Sequence, residues 1–355
     1  MVTTLIILAL LFGTLVYLGL RWRAPDMSEF DSPEPNLMVP EHEISDAHEA
    51  VVARLDDYHR QPRATDIATG RQRFEEVFSI EVDIEIRPVE IEGMQAEWVM
   101  AENSNPAQRL LYIHGGAFMV GSPRTHRYIT SELAKRTGCS VLAIDYRKQP
   151  EHKTIQCHED ARKAYSWIIE NGPDGAAPTA SLFVAGDSAG GNLTLAVIAW
   201  ARDNAKRAAE GAIALAPLTD FTMSSPSWRE NAATDPFLGP GIGRVLKIPA
   251  FLRQAFGRIN AGLPSNHPHL SPLFGNLDGL PPTLIQVSQH EMLYDDAKRY
   301  ANKANKTGGK VTLQVWPKLV HVFQGFGDLP ESDQAFELMT DFIMAQTPGQ
   351  SDVAA

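Results

Sequence analysis

The chain has 355 residues, 44% of them hydrophobic, which is enough for one large α/β domain with additions and a substantial core. A net charge of −11 with no long basic run argues against nucleic acid as a partner. The only cysteines, Cys139 and Cys157, form no C-x-x-C pair, which argues against a disulfide framework and a thiolate zinc site.

Residues 2–20 carry no charge. As a helix rising about 1.5 Å per residue this run would be about 28 Å long, close to the roughly 30 Å hydrocarbon thickness of a bilayer. A buried core helix and a cleaved signal peptide are the competing readings. Nothing basic but the α-amino group precedes the run, and Arg21 and Arg23 close it. A retained single-pass anchor over 1–23 is therefore expected. Basic residues beside a span stay on the cytoplasmic side, so the domain that follows is expected in the cytoplasm, with a lumenal or periplasmic placement as the alternative.

Residues 24–40, rich in Pro, Asp, Glu and Ser, read as a linker. Helices are expected over 41–58, with Ile44, Ala47, Val51, Val52 and Leu55 on one face, and over 68–78. Together 24–78 read as linker and N-terminal cap helices. Over 80–91 apolar Ile80, Val82, Ile84 and Ile86 alternate with charged residues, the pattern of a half-exposed strand, and 94–100 is its expected antiparallel partner. Strands then alternate with helices: strands at 109–113, 140–145, 181–185, 211–215, 283–287 and 311–315, helices at 127–137, 157–170, 192–202, 293–306 and 331–344. This rhythm predicts an α/β fold with a mainly parallel eight-stranded sheet covered by helices on both faces. The α/β domain is expected over 79–347, and 348–355 as a flexible tail. Residues 219–280 break the rhythm and read as a cap insertion, with one helix near 245–256.

The chemistry converges on Gly186-Asp187-Ser188-Ala189-Gly190-Gly191, between an apolar strand and a helix. A serine in G-x-S-x-G at a strand-to-helix turn is the nucleophile-elbow pattern, and the helix N-terminus beyond it favours an oxyanion. His114-Gly115-Gly116-Ala117-Phe118 follows another strand, so the N–H groups of Gly115 and Gly116, with that of Ala189, are the expected oxyanion donors. Taken alone, the same residues also read as a tight turn with a buried histidine. His321, after the last strand, can reach Ser188 from the carboxyl edge of the sheet as general base. Glu291, after the strand at 283–287, can orient His321; Asp295 is the alternative acid, though its place in a first helical turn suits dipole compensation.

The order Ser188, Glu291, His321 with an upstream HGG loop resembles the hormone-sensitive-lipase-like branch of the α/β-hydrolases, with its bacterial carboxylesterases and arylacetamide deacetylases. The resemblance spans about 73–342 and includes Asp145-Tyr146-Arg147, Pro150-Glu151-His152, Ser271-Pro272-Leu273 and His321-Val322-Phe323. It implies a serine hydrolase with a helical cap, requiring no metal or cofactor, in which Glu291 takes the place of the usual acid. It also implies short- to medium-chain esters as substrates and a pocket touching Ala117, Phe118, Asp187 and Val322, with Ala117 in place of a usual third glycine. An amidase or deacetylase with the same machinery, and a non-catalytic ligand-binding member of the fold, are the alternatives.

Overall fold

The computed structural model describes residues 13, 24–32, 37–40, 44–62 and 64–347. Eight strands in chain order make the sheet: β2 Glu85–Ile91, β3 Met94–Met100, β4 Asn105–Ile113, β5 Cys139–Ile144, β6 Ser181–Asp187, β7 Gly211–Leu215, β8 Thr283–Ser288 and β9 Val311–Trp316. A two-residue strand, β1 (Leu37–Met38), adds to the outer edge of β9, giving the order β1-β9-β8-β7-β6-β4-β5-β3-β2. All neighbours run parallel except β3 against β5 and β2 against β3.

The helices are α1 Asp46–Arg60, α2 Ile67–Phe78, α3 Arg127–Thr137, α4 Thr154–Glu170, α5 Ala189–Asp203, α6 Ser227–Glu230, α7 Gly239–Val245, α8 Ala250–Ala261, α9 Tyr294–Lys306 and α10 Pro330–Gln346. β5, β6 and β7 are buried along their whole length, as continuous apolar runs covered on both faces must be. α5 is apolar nearly all round because it lies between the sheet and α4. The parallel order brings the carboxyl ends of β4, β6, β8 and β9 to one edge, where the loops carrying His114, Ser188, Glu291 and His321 emerge.

Several expected boundaries shift. The strand expected from 80 starts at Glu85, whose ladder partner Met100 is the last residue of β3, so nothing pairs with 80–84. The helix expected from 157 starts at Thr154, where Gln156 Oε1 accepts the Lys153 N–H at 2.9 Å and closes the first turn. The insertion holds α6, α7 and α8 rather than one helix, with Pro249 separating the last two.

The membrane placement is corrected. Apart from residue 13, the anchor expected over 1–23 lies outside the described residues, as does the tail 348–355. Among the described residues no helix is long and apolar enough to cross a membrane. α4 and α10, at 17 residues each, would reach only about 25 Å and carry charged residues along their outer faces.

Candidate active site

The elbow is built by close backbone approach. Ser188 has φ +52° and ψ −114°, a sparsely populated conformation, and its N–H donates to the Leu215 carbonyl at 2.7 Å. A Cβ on Gly190 would lie 1.9 Å from the Ile113 carbonyl oxygen, and one on Gly186 would lie 2.5 Å from the same atom. Both glycines are there because β4 passes directly beneath the turn. Ser188 is thereby held at the N-terminus of α5, beside the start of the His114 loop.

Ser188 Oγ lies 3.0 Å from His321 Nε2, and His321 Nδ1 lies 3.0 Å from Glu291 Oε1. A carboxylate only accepts, so the Nδ1–H donates to Glu291 and Nε2 is left to accept the serine proton. The second Glu291 oxygen accepts the Ser288 N–H at 3.0 Å, which fixes the carboxylate. Burial lifts the Glu291 carboxyl above its ordinary range despite the facing imidazole. For His321 burial pulls the other way, but the Glu291 carboxylate, then Asp235 and Asp187 more weakly, leave the imidazole above its usual value.

Asp295, the alternative acid, is occupied elsewhere. It accepts the Ser227 N–H at 2.8 Å and pairs with Lys298 at 2.7 Å. Its neighbour Asp296 ties the insertion to α9 through the N–H groups of Thr219 and Asp220, both at 2.9 Å.

The oxyanion expectation needs one correction. The Gly115 N–H is directed at Asp187 Oδ1, 3.0 Å away, and is not available to a substrate. The N–H groups of Gly116, Ala117 and Ala189 meet no acceptor among the described residues. Gly116 takes φ +106° and Ala117 φ +53°, which turns the loop sharply, and both residues line the cavity beside Ser188. Ala117, Asp187 and Val322 line the cavity above Ser188; Phe118 does not. At φ +61° its ring turns into the core against Phe221, 5.4 Å between centroids.

Two residues outside the motifs, Tyr112 and His126, brace this loop through Asp187, and a third, Asp235, braces the Glu291 loop. Asp187 Oδ1 also accepts the Tyr112 hydroxyl at 2.7 Å, and Oδ2 faces His126 Nε2 at 3.3 Å. Burial pushes the Asp187 carboxyl up, but the His126 imidazole and these hydrogen bonds outweigh it and hold it below its ordinary value. His114 is buried, its pKa lowered to about 4 by desolvation, so it is neutral and its Nδ1–H closes the loop onto the Gly115 carbonyl at 2.6 Å. Asp235 accepts the Met292 N–H at 2.9 Å and caps the turn into Phe237 and Leu238, linking the insertion to the Glu291 loop. No sequence signal marks Tyr112, His126 or Asp235, because each acts on a residue distant in the chain.

The cavity over Ser188 measures about 250 Å³. Its floor is Gly116, Ala117 and Ser188, while Tyr58, Phe74 and Phe78 come from α1 and α2 and Phe237, Leu238 and Ile242 from the insertion. His59 Nε2 lies 2.9 Å from the Phe237 carbonyl, joining the two parts of this roof.

A parallel-centred sheet with a serine elbow, an HGG loop and a histidine after the last strand defines a hydrolase of the α/β class. Residues 110–325 match the family described by the alpha/beta hydrolase fold, and the chain belongs to that family, in its hormone-sensitive-lipase-like branch. It is 36% identical over 253 residues to an acetyl-hydrolase of Streptomyces hygroscopicus, covering 71% of this chain and 80% of the relative. An esterase of Acinetobacter venetianus is 33% identical over 260 residues, 73% of this chain and 82% of its own length. Among solved structures, an esterase from the bacterial hormone-sensitive lipase family superposes with a TM-score of 0.75 at 30% identity, over 86% of this chain and 100% of the other. These relatives support a carboxylesterase-type hydrolase.

Proposed function

We propose that the protein is a serine carboxylesterase acting on short- to medium-chain esters through an acyl-enzyme. The observation that carries the reading is the continuous hydrogen-bonded line from Ser188 Oγ through His321 to Glu291, with 3.0 Å at each step. Ser188 Oγ attacks the ester carbonyl carbon while its proton passes to His321 Nε2. The imidazolium so formed is stabilised by Glu291. The carbonyl oxygen, now an oxyanion, is held by the N–H groups of Gly116, Ala117 and Ala189 at the helix N-terminus. Collapse breaks the bond to the alcohol oxygen, which leaves with the proton from His321. A water then gives its proton to Nε2 and attacks the acyl-enzyme, and Ser188 recovers its proton as the acid departs.

The preference for short and medium acyl chains rests on the cavity, whose 250 Å³ falls below the roughly 300–1,000 Å³ of drug-sized sites. The test is intact-protein mass spectrometry after a fluorophosphonate probe, together with p-nitrophenyl esters of rising chain length. One probe adduct on Ser188 and fastest turnover at four to eight carbons are expected. Labelling at another serine, or faster turnover of a sixteen-carbon ester than of the butyrate, overturns the reading.

A further inference from the structure

From residue 236 to 277 the insertion contains Arg244, Lys247, Arg253 and Arg258 and no aspartate or glutamate, in a chain whose net charge is −11. Arg244, in the last turn of α7, is exposed, and its guanidinium meets no acceptor among the described residues. It lines a groove of about 520 Å³ whose other wall carries Arg73 of α2. Arg73 donates to the Pro62 carbonyl and has no carboxylate partner among the described residues. Among the described residues no acidic side chain lines the groove, and Val245 and Ile248 supply an apolar stretch beside the two arginines. Tyr58, His59 and Gly241 line both this groove and the catalytic cavity, so the two lie against each other across a shared wall.

Two like charges in one concavity, without a counter-ion, concentrate positive potential and repel each other until an anion arrives. Guanidinium groups suit carboxylate and phosphate, which they engage through paired N–H donors. We propose that this groove is the subsite for an anionic end of the substrate, a carboxylate or phosphate joined by an apolar stretch to the ester bond at Ser188. The proposal rests on the hydrolase reading above and adds to it the chemical class of the substrate.

The test compares charged with neutral esters of equal length. One series uses p-nitrophenyl monoesters of glutarate, adipate and suberate against their methyl-terminated counterparts, placing a carboxylate on the acyl side. The other uses 4-butyryloxyphenyl phosphate against 4-butyryloxyphenyl methyl ether, placing a phosphate on the alcohol side. The readout is the charged-to-neutral ratio of kcat/KM. In at least one series Arg244→Gln is expected to lower it about tenfold and Arg244→Glu further, while Arg244→Lys and Arg73→Lys retain most of it. Raising the salt from 50 to 500 mM is expected to lower it in the unmodified protein. A ratio that is the same in the unmodified protein, Arg244→Gln and Arg244→Glu, in both series, overturns the subsite. Calorimetric binding of the adipate monoester to Ser188→Ala, with and without Arg244→Gln, reads the groove without turnover. Calorimetry with 4-butyryloxyphenyl phosphate is read the same way: a roughly tenfold weaker Kd for either ester with Arg244→Gln supports the subsite, and an unchanged Kd for both counts against it. If the hydrolase reading fails, both esters stay intact while this binding difference remains measurable.

Discussion

The Asp187 carboxylate accepts the Gly115 amide across 3.0 Å, so the residue before the serine holds the first glycine of the loop opposite. The bond ties the strand-end of β6 to that of β4 and orients the amides of Gly116 and Ala117. Asp187→Ala is expected to lower kcat about 10²–10³-fold, the size of losing one oxyanion donor, with a much smaller change in KM. Asp187→Asn keeps an oxygen for Gly115 and should fall between the two. Steady-state kinetics of the three proteins on one ester decide it, and an Ala variant with unchanged kcat would remove the loop-bracing role.

Ser188→Ala should abolish fluorophosphonate labelling and reduce ester turnover by about 10⁴-fold or more, since the remaining members of a triad cannot substitute for the nucleophile. Near-normal turnover would mean that another residue carries the acyl group.

The two carboxylates can be told apart. Glu291→Gln presents an amide to Nδ1, disturbs the tautomer of His321 and should lower kcat about 10⁴-fold. Asp295→Asn weakens the contacts with Ser227 and Lys298, so its effect belongs in thermal stability, with kcat within a few-fold of the original. The reverse ranking would place the acid wrongly.

The pH dependence has a definite sign. His321 must be neutral to accept the serine proton, and its pKa lies above the ordinary 6.5 because Glu291 faces it. The profile of kcat/KM should therefore rise with pH through a limb centred above 6.5, as the imidazole loses its proton. Glu291→Gln removes the main raising influence while burial still lowers the pKa, so the limb of its residual activity should move to lower pH. A limb that stays in place in that variant would assign it to another group.

A backbone test of the elbow uses two glycines. Gly190→Ala drives a Cβ to 1.9 Å from the Ile113 oxygen, and backbone on both sides cannot yield. Overpacking costs about 1–3 kcal/mol even where neighbours are side chains, so loss of folded yield or a marked fall in Tm is expected. Gly243→Ala places its Cβ 3.8 Å from Ala232 Cβ, within a helix, and should stabilise by about 0.5–1 kcal/mol. Equal melting temperatures for the two variants would contradict the close-approach argument.

The sheet and the order of Ser188, Glu291 and His321 could be read from the sequence because each follows a short apolar strand in a regular alternation. What escaped reading depends on partners far away in the chain. Gly115 looks like a free donor until Asp187 is seen to accept its N–H, and β1 pairs through so few residues that no pattern marks it. Helix α7 is hidden by Gly239, Gly241, Gly243 and Pro240, which are poor helix formers, and it forms against Ala232 of the insertion. Phe118 follows the glycines as a pocket aromatic would, but its positive φ sends the ring inward.

The roof over Ser188 also sets a timetable for the newly made chain. Val51 and Leu55 of α1 are buried against Trp316, Leu319, Phe323 and Leu329, all from the last fifth of the sequence, and the Ser45 N–H is held by Glu331 at 2.7 Å. At about 5–20 residues per second, α1 leaves the ribosome roughly fifteen seconds to a minute before these partners exist. Through that interval its apolar stripe lacks the buried partners that come from the C-terminal part of the chain, so a chaperone that holds the emerging N-terminal region should raise the yield of active protein, and chains stalled before residue 316 should be the ones that aggregate.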